Sequence, residues 1–197
     1  MNKTFKDTDG KYKCHWCSQT EAYIKYHDLE WGHSTLSDQE LFEKLTLESF
    51  QSGLSWLTIL NKRANFKRAF KSFNIQKVSK FTENDILILL QNEGIVRHRG
   101  KIEAAVNNAN QLKLVIKEFG SFKNYLIQYT PNLKTSHEVR SRSPESETIS
   151  KDLRKRGFKF VGPTTIYSFM QAIGMVNDHS PKCFKFKTFK SPFTAKE

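Results

Sequence analysis

Several features that mark other classes of protein are scarce or missing in this sequence of 197 residues. It has only three cysteines, five prolines and nine glycines, which excludes a disulfide-rich scaffold, a collagen-like fibre and a Pro-rich filament. No run approaches the roughly 20 apolar residues that a membrane-spanning helix needs. The first residues also lack the apolar core of a secretion signal. These absences predict a soluble intracellular protein with no membrane partner.

Positive charge is present in excess. The chain has 32 Lys and Arg against 20 Asp and Glu, a formal net charge of +12. Residues 151–197 hold ten of the basic and three of the acidic residues, so this last quarter carries +7. A solvated basic surface explains such a charge, and so does a polyanionic partner, most often nucleic acid. The uneven distribution favours the nucleic acid.

The spacing of apolar residues is helical almost throughout the chain. Capping boxes at residues 37–40 and 82–85 each precede an apolar helical pattern. The apolar run 54–60 has strand propensity, but it continues without a breaker into a helical pattern that ends near residue 70. No alternation is long enough for a sheet, so we predict an all-α fold. Further helices are predicted from residue 82 to 90 with Gly94 at the end, over 97–114, from Ser121 to near Tyr129, over 147–156 and over 163–173, with a polar loop at 130–147.

Cysteine and histidine occur in two pairs near opposite ends of the sequence, Cys14 with His27 and His179 with Cys183. Thiolate and imidazole together suit Zn²⁺, and four such ligands without a carboxylate predict a structural site. A shared ion would join the two ends of the chain. Either pair can also be coincidental, and the spacing does not choose among the eligible residues. Three further residues qualify as ligands by type: His15, Cys17 and His33.

All three tryptophans, Trp16, Trp31 and Trp56, lie in one early part of the chain, together with Tyr23 and Tyr26. A helical core is one explanation for them. The residues between them are polar, however, which is more typical of an aromatic-lined cavity with a few polar groups. On a basic protein, such a cavity suggests a pocket in which a nucleobase stacks.

Glu48 is the unusual residue of its predicted helix, because it shares a face with Leu41 and Leu45. A carboxylate on an apolar face is costly unless it meets a donor or a cation. Glu48 is therefore either a structural residue with an internal partner or a functional carboxylate in the pocket.

At these residues the chain resembles the DNA-3-methyladenine glycosylase I family, within the helix-hairpin-helix glycosylase superfamily. The resemblance runs from about Cys14 to Cys183. It is carried by six stretches in the same order: 26–32 (YHDLEWG), 47–56 (LESFQSGLSW), 95–102 (IVRHRGKI), 155–163 (KRGFKFVGP), 167–172 (YSFMQA) and 176–179 (VNDH).

The resemblance implies a role for particular residues. It places structural Zn²⁺ on Cys14, His27, His179 and Cys183, and leaves Cys17 as a bystander thiol. It implies that Glu48 is the catalytic carboxylate and that the turn at Gly53 and Leu54 presses into the duplex where the base has left. The implied base pocket consists of Tyr26 and Trp56 beside Glu48, with Trp16, Tyr23 and Trp31 around them.

The implied hairpin runs from Gly157 to Gly162 and lacks the commoner Gly-hydrophobic-Gly form of the superfamily. Many members of the superfamily use an Asp after the second helix, but the narrower family points to Glu48, so Asp178 is not predicted to be catalytic. Phosphate contacts are predicted at the hairpin and at basic residues near it: Lys159, Gly162, Arg97, Arg99, Lys101, Lys155 and Arg156.

The implied reaction is hydrolysis of the N-glycosidic bond of 3-methyladenine in alkylated DNA by base flipping, the first step of base excision repair. The expected partner is double-stranded DNA carrying alkylated bases, the product is free 3-methyladenine, and the enzyme is a monomer without lyase activity in the bacterial cytosol or nucleoid. A non-enzymatic, zinc-stabilised DNA-binding protein is the alternative, and a zinc hydrolase is a third possibility. The expected organisation is an N-terminal extension at 1–13, a glycosylase domain at 14–183 and a basic tail at 184–197, which either adds DNA affinity or is disordered.

Overall fold

The structure is a computed structural model that describes residues 3–33, 37–130 and 140–193. Helices dominate it, which confirms the all-α prediction for this part of the chain. The one sheet among these residues is an antiparallel pair, β1 (Thr4–Lys6) and β2 (Tyr12–Cys14). Three residues per strand are too few to produce a visible alternation in the sequence. The helices are α1 (Glu21–Leu29), α2 (Asp38–Gln51), α3 (Trp56–Ala69), α4 (Ile75–Val78), α5 (Glu83–Gln91), α6 (Arg99–Phe119), α7 (Phe122–Ile127), α8 (Pro144–Lys155) and α9 (Pro163–Ala172).

The predicted helix starts agree well with the structure. Ser37 and Thr82 each close a capping box, and Ser121 caps α7 through the Asn124 N–H. Pro163 occupies the first turn of α9. The agreement follows from the local nature of these signals, since a cap and its helix lie within four residues of each other.

Some helix boundaries differ from the prediction. The helix predicted from residue 54 begins at Trp56, because the Ser55 hydroxyl accepts a hydrogen bond from the Thr58 N–H and caps it there. Helix α6 extends to Phe119, where Gly120 adopts a left-handed conformation with φ of 79° and ends it. Helix α5 ends at Gln91, three residues before the predicted Gly94. Helix α8 begins at Pro144, inside the predicted loop.

Helix α2 lies at the centre of the molecule. Every residue from Leu41 to Phe50 is buried, and α3, α6, α7 and α9 pack around it. Phenylalanine rings fill much of this core, with Phe50 against Phe66 at 4.8 Å between ring centroids. A helix buried on all sides has no solvent-facing stripe, so its polar residues must be explained individually.

Helices α8 and α9 form the predicted helix-hairpin-helix unit. Gly157 ends α8 with φ of 87°, a conformation that favours glycine, and Phe158 and Val161 bury their side chains beneath the turn. Asn108 of α6 holds the turn from below: its Oδ1 accepts from the Lys159 N–H at 2.8 Å, and its Nδ2 donates to the Lys159 carbonyl at 2.9 Å. The Asn108 side chain of α6 therefore holds the backbone of the hairpin in place.

The segments that flank residues 14–183 pack against the helical body. The Phe184 N–H donates to the Tyr12 carbonyl, which joins the two segments to each other. Phe193 is fully buried, and its carbonyl accepts from the Thr130 hydroxyl. The rest of the predicted tail, 194–197, lies outside the described residues. No helix in the described part of the chain is long and apolar enough to cross a membrane.

Replacing Asn108 with alanine should destabilise the protein by about 1–3 kcal/mol, because the Lys159 N–H and carbonyl would lose two hydrogen bonds to a side chain that is itself buried. Urea unfolding monitored by circular dichroism would measure the change. Asn110→Ala is the matched control, since Asn110 is exposed on the same helix and its side chain reaches only backbone carbonyls at 3.1 Å. Equal losses in the two variants would contradict the role assigned to Asn108.

Candidate active site and metal centre

Two cysteines and two histidines meet where the ends of the chain come together. Cys14 ends β2, His27 lies in the last turn of α1, and His179 and Cys183 follow α9. All four are buried, and their ligand atoms lie within 4.8 Å of one another. The structure thus brings together the two pairs that the sequence separates by more than 150 residues.

Three distances within this group match those between the ligands of a tetrahedral metal ion. Bonds of the length that zinc forms to sulfur and nitrogen separate neighbouring ligand atoms by about 3.3–3.8 Å. The Cys183 Sγ lies 3.5 Å from His27 Nε2 and 3.7 Å from His179 Nδ1, and the Cys14 Sγ lies 3.7 Å from the same His179 atom. Burial lowers the pKa of His179, which favours the neutral imidazole that a metal requires. The group can therefore hold a metal ion.

Cys17 is buried beside this group but is separate from it. Its thiol donates to the Cys14 carbonyl at 3.0 Å, and burial raises its pKa to about 12. A thiol in that state is a poor ligand and a poor nucleophile.

A chain of charged residues behind the metal centre was not predicted from the sequence. The Asp28 carboxylate contacts His27 Nδ1 at 2.7 Å with one oxygen and Lys13 Nζ at 2.7 Å with the other. Lys13 is buried and also pairs with Asp7 at 2.5 Å and Asp9 at 3.2 Å. A carboxylate on the far nitrogen of a ligand histidine fixes its tautomer and its orientation.

The predicted aromatic residues form one cluster. Tyr26 and Trp56 lie 5.3 Å apart between ring centroids, and Trp16 lies 5.0 Å from Tyr23 and 4.9 Å from Trp31. Tyr26 is almost fully buried, whereas Trp16, Tyr23 and Trp56 remain partly accessible. An aromatic cluster that is only partly covered can offer ring faces to a ligand.

The metal centre supports this cluster from behind. The Trp31 ring packs edge-on against His179 at 4.6 Å, and the Trp16 ring packs edge-on against His27 at 5.3 Å. Two ligand imidazoles thus contact two pocket tryptophans, so a metal that fixes the imidazoles also fixes the position of those rings.

Glu48 is buried in α2 and its Oε2 atom has no hydrogen-bond partner among the described residues. Burial raises its pKa to about 8, against the opposing effect of Lys44 one turn earlier in the helix. The Trp56 Nε1 atom is likewise buried and without a partner within the described ranges. Buried polar groups in proteins are nearly always paired, so an unpaired acceptor and an unpaired donor in one region indicate a binding site.

Two cationic side chains, Arg63 and Lys44, lie at the side of the site formed by α2 and α3. Arg63 of α3 donates to Glu30 at 2.5 Å and to Glu43 of α2 at 2.7 Å, which joins the end of α1 to both helices. Lys44 is buried, with its Nζ 5.8 Å from the centre of the Tyr26 ring, and burial lowers its pKa. Neither residue was predicted from the sequence, because the partners of each lie on other helices.

Residues 51–54 form a tight turn between α2 and α3. Ser52 has φ of −46° and ψ of 116°, Gly53 has φ of 81°, and the Leu54 N–H donates to the Gln51 carbonyl at 2.6 Å. These values describe a type II β-turn, which requires glycine at its third position. Leu54 follows with 41% of its surface exposed.

The basic residues proposed as phosphate contacts divide into two groups. Arg97, Arg99 and Lys159 are exposed, although Arg99 also pairs with Glu83 and Glu103 on the surface. Gly162 caps the N-terminus of α9 without a side-chain acceptor, which leaves the N–H groups of its first turn available. Lys155 is exposed as well.

Lys101 and Arg156 were predicted to contact phosphate, but in the structure their side chains have partners inside the protein. The Lys101 ammonium is buried and donates to backbone carbonyls at the end of α2. Arg156 is half-buried, pairs with Asp152 and Glu118, and covers the Tyr125 ring. Both side chains are used within the fold.

Asp178 has an internal role that fits its exclusion as a catalytic residue. One of its oxygens accepts from the Tyr167 hydroxyl at 2.8 Å and from Gln171 at 2.6 Å, which holds the loop before His179 to α9.

Comparison with known proteins gives one consistent answer. The family model for methyladenine glycosylases matches residues 16–186. The chain is 44% identical over 177 residues to DNA-3-methyladenine glycosylase 1 of Escherichia coli K12, covering 87% of this chain and 95% of that protein. It is 41% identical over 177 residues to a DNA-3-methyladenine glycosylase of Haemophilus influenzae, covering 87% of this chain and 96% of the other.

Solved structures agree with the sequence comparison. 3-methyladenine DNA glycosylase I from Staphylococcus aureus has a TM-score of 0.83 and 36% identity, covering 88% of this chain and 96% of that one. A tyrosine-to-phenylalanine variant of a 3-methyladenine DNA glycosylase I, solved in complex with 3-methyladenine, has a TM-score of 0.83 and 35% identity, covering 88% of this chain and 97% of that one.

Glu48→Gln should stabilise the protein by an amount that grows with pH. The pKa of Glu48 is about 8 in the folded state and near 4.5 in the unfolded state. Ionisation of the buried carboxyl therefore does not change the free energy of unfolding below pH 4.5. It lowers that free energy increasingly between pH 4.5 and pH 8, and by a constant amount above pH 8. The stability difference between variant and parent should rise by up to about 1.4 kcal/mol per pH unit within that window. Melting temperatures measured from pH 5 to pH 9 would test this.

The matched control is Glu21→Gln, because Glu21 is exposed in the first turn of α1. Its difference from the parent should be small and should not grow with pH between 5 and 9. A Glu48→Gln difference that is equally flat would show that the carboxylate is not held in an unfavourable environment.

Proposed function

Since the chain belongs to the methyladenine glycosylase family, we propose that it flips 3-methyladenine out of alkylated duplex DNA into the Tyr26–Glu48–Trp56 pocket. The reaction is hydrolysis of the N-glycosidic bond, which releases the free base and leaves an abasic site. This is the first step of base excision repair.

The observation that carries the proposal is the pair of unpaired buried atoms beside the aromatic rings. Glu48 Oε2 is an acceptor without a donor, and Trp56 Nε1 is a donor without an acceptor, within the described residues. A purine base offers both kinds of group along its edge and a flat face for the rings. A non-enzymatic DNA-binding protein has no need for such a pocket, so the pocket favours the enzyme over that alternative.

The charge of the substrate explains how the pocket selects it. A 3-methylated adenine in DNA carries a formal positive charge, whereas normal adenine is neutral. Ring faces of Tyr26 and Trp56 attract a cation by about 2 kcal/mol or more when water is excluded. Glu48 adds a negative partner, and a neutral base would leave that buried charge with poorer compensation, at a cost of about 1–3 kcal/mol.

The same charge explains why little acid catalysis is needed. A cationic base is already a good leaving group, so its departure as a neutral purine requires no protonation. The pocket therefore serves to extract the base, hold it and exclude the normal bases. Water is the nucleophile that attacks C1′ of the sugar. None of Tyr26, Glu48 and Trp56 is a lysine, and on those three residues we propose a monofunctional enzyme without strand cleavage. Lys44 lies beside them, with its Nζ 5.8 Å from the centre of the Tyr26 ring.

The surface around the pocket supplies the contacts to DNA. Extracting a base costs a few kcal/mol, which an apolar wedge and phosphate contacts can offset. Leu54, exposed after the turn at Gly53, is the wedge. Arg97, Arg99 and Lys159 contact phosphates, together with the open N-terminus of α9 at Gly162.

The proposed occupant of the metal centre is a structural Zn²⁺ ion held by Cys14, His27, His179 and Cys183. When bound, zinc supplies a permanent cross-link between the two ends of the chain and no chemistry toward the substrate. Four protein ligands leave no open position for water, which argues against a zinc hydrolase. The protein's own part is to orient His27 through Asp28.

The cellular location, the oligomeric state and the domain limits of the protein are also proposed here. The two relatives described above, from Escherichia coli and Haemophilus influenzae, are bacterial enzymes, which supports an enzyme of the bacterial cytosol that acts on the nucleoid. We also propose that the protein is a monomer. Within that chain, residues 14–183 are the proposed glycosylase domain, flanked by the extension 1–13 and the basic tail 184–197.

Glu48→Gln should lower release of 3-methyladenine from methylated duplex DNA by about 10-fold or more, because the variant loses the charge that rewards a cationic base. Release is measured by chromatography of the free base. Glu21→Gln is the control and should retain full activity. Equal activity in the parent and in Glu48→Gln would refute the role of the carboxylate.

The pH dependence of kcat/KM is a second test of the role of Glu48. Because ionised Glu48 is required and its pKa is about 8 in the free protein, kcat/KM for methylated DNA should rise as pH increases toward 8 and level off above it. The Glu48→Gln profile should lack this rise. A parent profile that is flat from pH 6 to pH 9 would count against the assignment.

Removing the metal should act through stability. Cys183→Ser should lose the metal and melt at a lower temperature, while Cys17→Ser should retain about one zinc per chain, because Cys17 lies outside the ligand set. Elemental analysis and thermal melting measure the two effects. Below its melting temperature, Cys183→Ser should still excise the base. Immediate loss of turnover in a folded variant would instead indicate a catalytic metal.

A further inference from the structure

Lys101 is a buried cation with an unusual pair of partners. Its Nζ donates to the Phe50 carbonyl at 2.9 Å and to the Ser52 carbonyl at 2.5 Å, and only 7% of the residue is exposed. Lys101 lies in the first turn of α6, where the dipole of its own helix disfavours a positive charge. The contact with α2 must outweigh both the dipole and the cost of burial.

The two carbonyls lie at the C-terminal end of α2. The last carbonyls of a helix lack internal partners and favour a cation, yet α2 has no basic residue in its own last turn. Lys101 supplies that cation from another helix. It therefore anchors the point at which α2 ends and the turn at 51–54 begins.

The Ser52 carbonyl also determines which turn forms. It belongs to the central peptide of the type II turn, the peptide whose orientation is reversed between type I and type II turns. Rotation of that peptide would take the carbonyl away from the Lys101 ammonium. The hydrogen bond thus selects the type II form, and with it the direction in which the chain leaves toward Leu54.

The position of Lys101 also links this turn to the second DNA-facing element. One turn of α6 carries both Lys101 and the His98 cap, and the His98 ring packs edge-on against Phe160 of the hairpin at 6.0 Å. Phe160 is exposed and has φ of 55°, which is strained for a residue with a side chain. The start of α6 therefore holds the turn and the hairpin in a fixed relation.

We propose that Lys101 is the positioning residue of the base-flipping turn: it fixes the Ser52–Gly53 peptide so that Leu54 enters the duplex when the base leaves. The inference rests on the proposed function, because it takes Leu54 as the wedge. It assigns Lys101 no contact with the substrate base and none with phosphate.

The experiment compares Lys101→Met with Lys117→Met. Both variants lose one positive charge from α6, but Lys117 is exposed, about 24 Å farther along the helix. Three quantities are measured for each: kcat/KM on methylated duplex DNA, affinity for free 3-methyladenine, and the fluorescence of 2-aminopurine placed beside the damaged base, which reports unstacking.

Lys101→Met should lower kcat/KM on the duplex by about 10-fold or more and weaken the 2-aminopurine signal, while affinity for the free base stays within about twofold of the parent. Gly53→Ala should reproduce this pattern, since a Cβ there meets nothing within 4 Å and only the φ of 81° opposes it. Lys117→Met should match the parent in all three.

Two results would overturn the proposal. One is a Lys101→Met enzyme as active on the duplex as Lys117→Met. The other is a loss of free-base affinity as large as the loss of duplex activity, which would mean that Lys101 supports the whole site. Should Lys101→Met fail to fold, Lys101→Gln carries the comparison, because its amide still donates one hydrogen bond. Failure of the proposed function is distinct, since the parent enzyme itself would then release no 3-methyladenine.

Discussion

The burial of one carboxylate inside the central helix is the constraint on which the site depends. Glu48 lies in α2, the element around which the other helices pack, and its Oε2 has no partner among the described residues. A carboxylate without a partner is costly to bury, which is why burial raises the pKa of Glu48 to about 8. A rigid surround is needed to keep water and alternative partners away. The core of phenylalanine rings, the Arg63 bridge and the aromatic wall together provide that surround.

Helix α6 and the metal centre hold the site from two directions. Asn108 and Lys101 of α6 fix the backbone of the hairpin and of the turn after α2, so the hairpin and the turn share one support. The Cys and His group supports two rings of the aromatic cluster, through the Trp31–His179 and Trp16–His27 contacts. The aromatic cluster and the hairpin with its neighbouring turn are therefore supported by separate parts of the structure.

Local sequence signals predicted a large part of this arrangement. The Ser37 and Thr82 caps, the all-α pattern and the odd position of Glu48 on an apolar face can each be seen within one or two helical turns. The choice of ligands among the cysteines and histidines could not be made from spacing, because it depends on which residues meet after folding. The resemblance to a known family supplied that choice.

The residues that sequence reasoning missed act over long distances. Lys13 meets Asp28, Arg63 meets Glu30, and Lys101 meets Ser52, and in each case the partners lie on different elements. A lysine or arginine in a sequence gives no sign of whether it faces water or a carbonyl. For Lys101, its neighbours in a basic stretch suggested a phosphate contact, whereas burial gave it an internal partner.

The metal centre has a consequence for how the protein is made. Cys14 and His179 are separated by 165 residues, so a ribosome produces half of the ligand set long before the other half. A partial chain would present only Cys14 and His27, and it would lack the His179 ring that packs against Trp31. The contacts behind the aromatic cluster are therefore completed only near the end of synthesis, once His179 has been made.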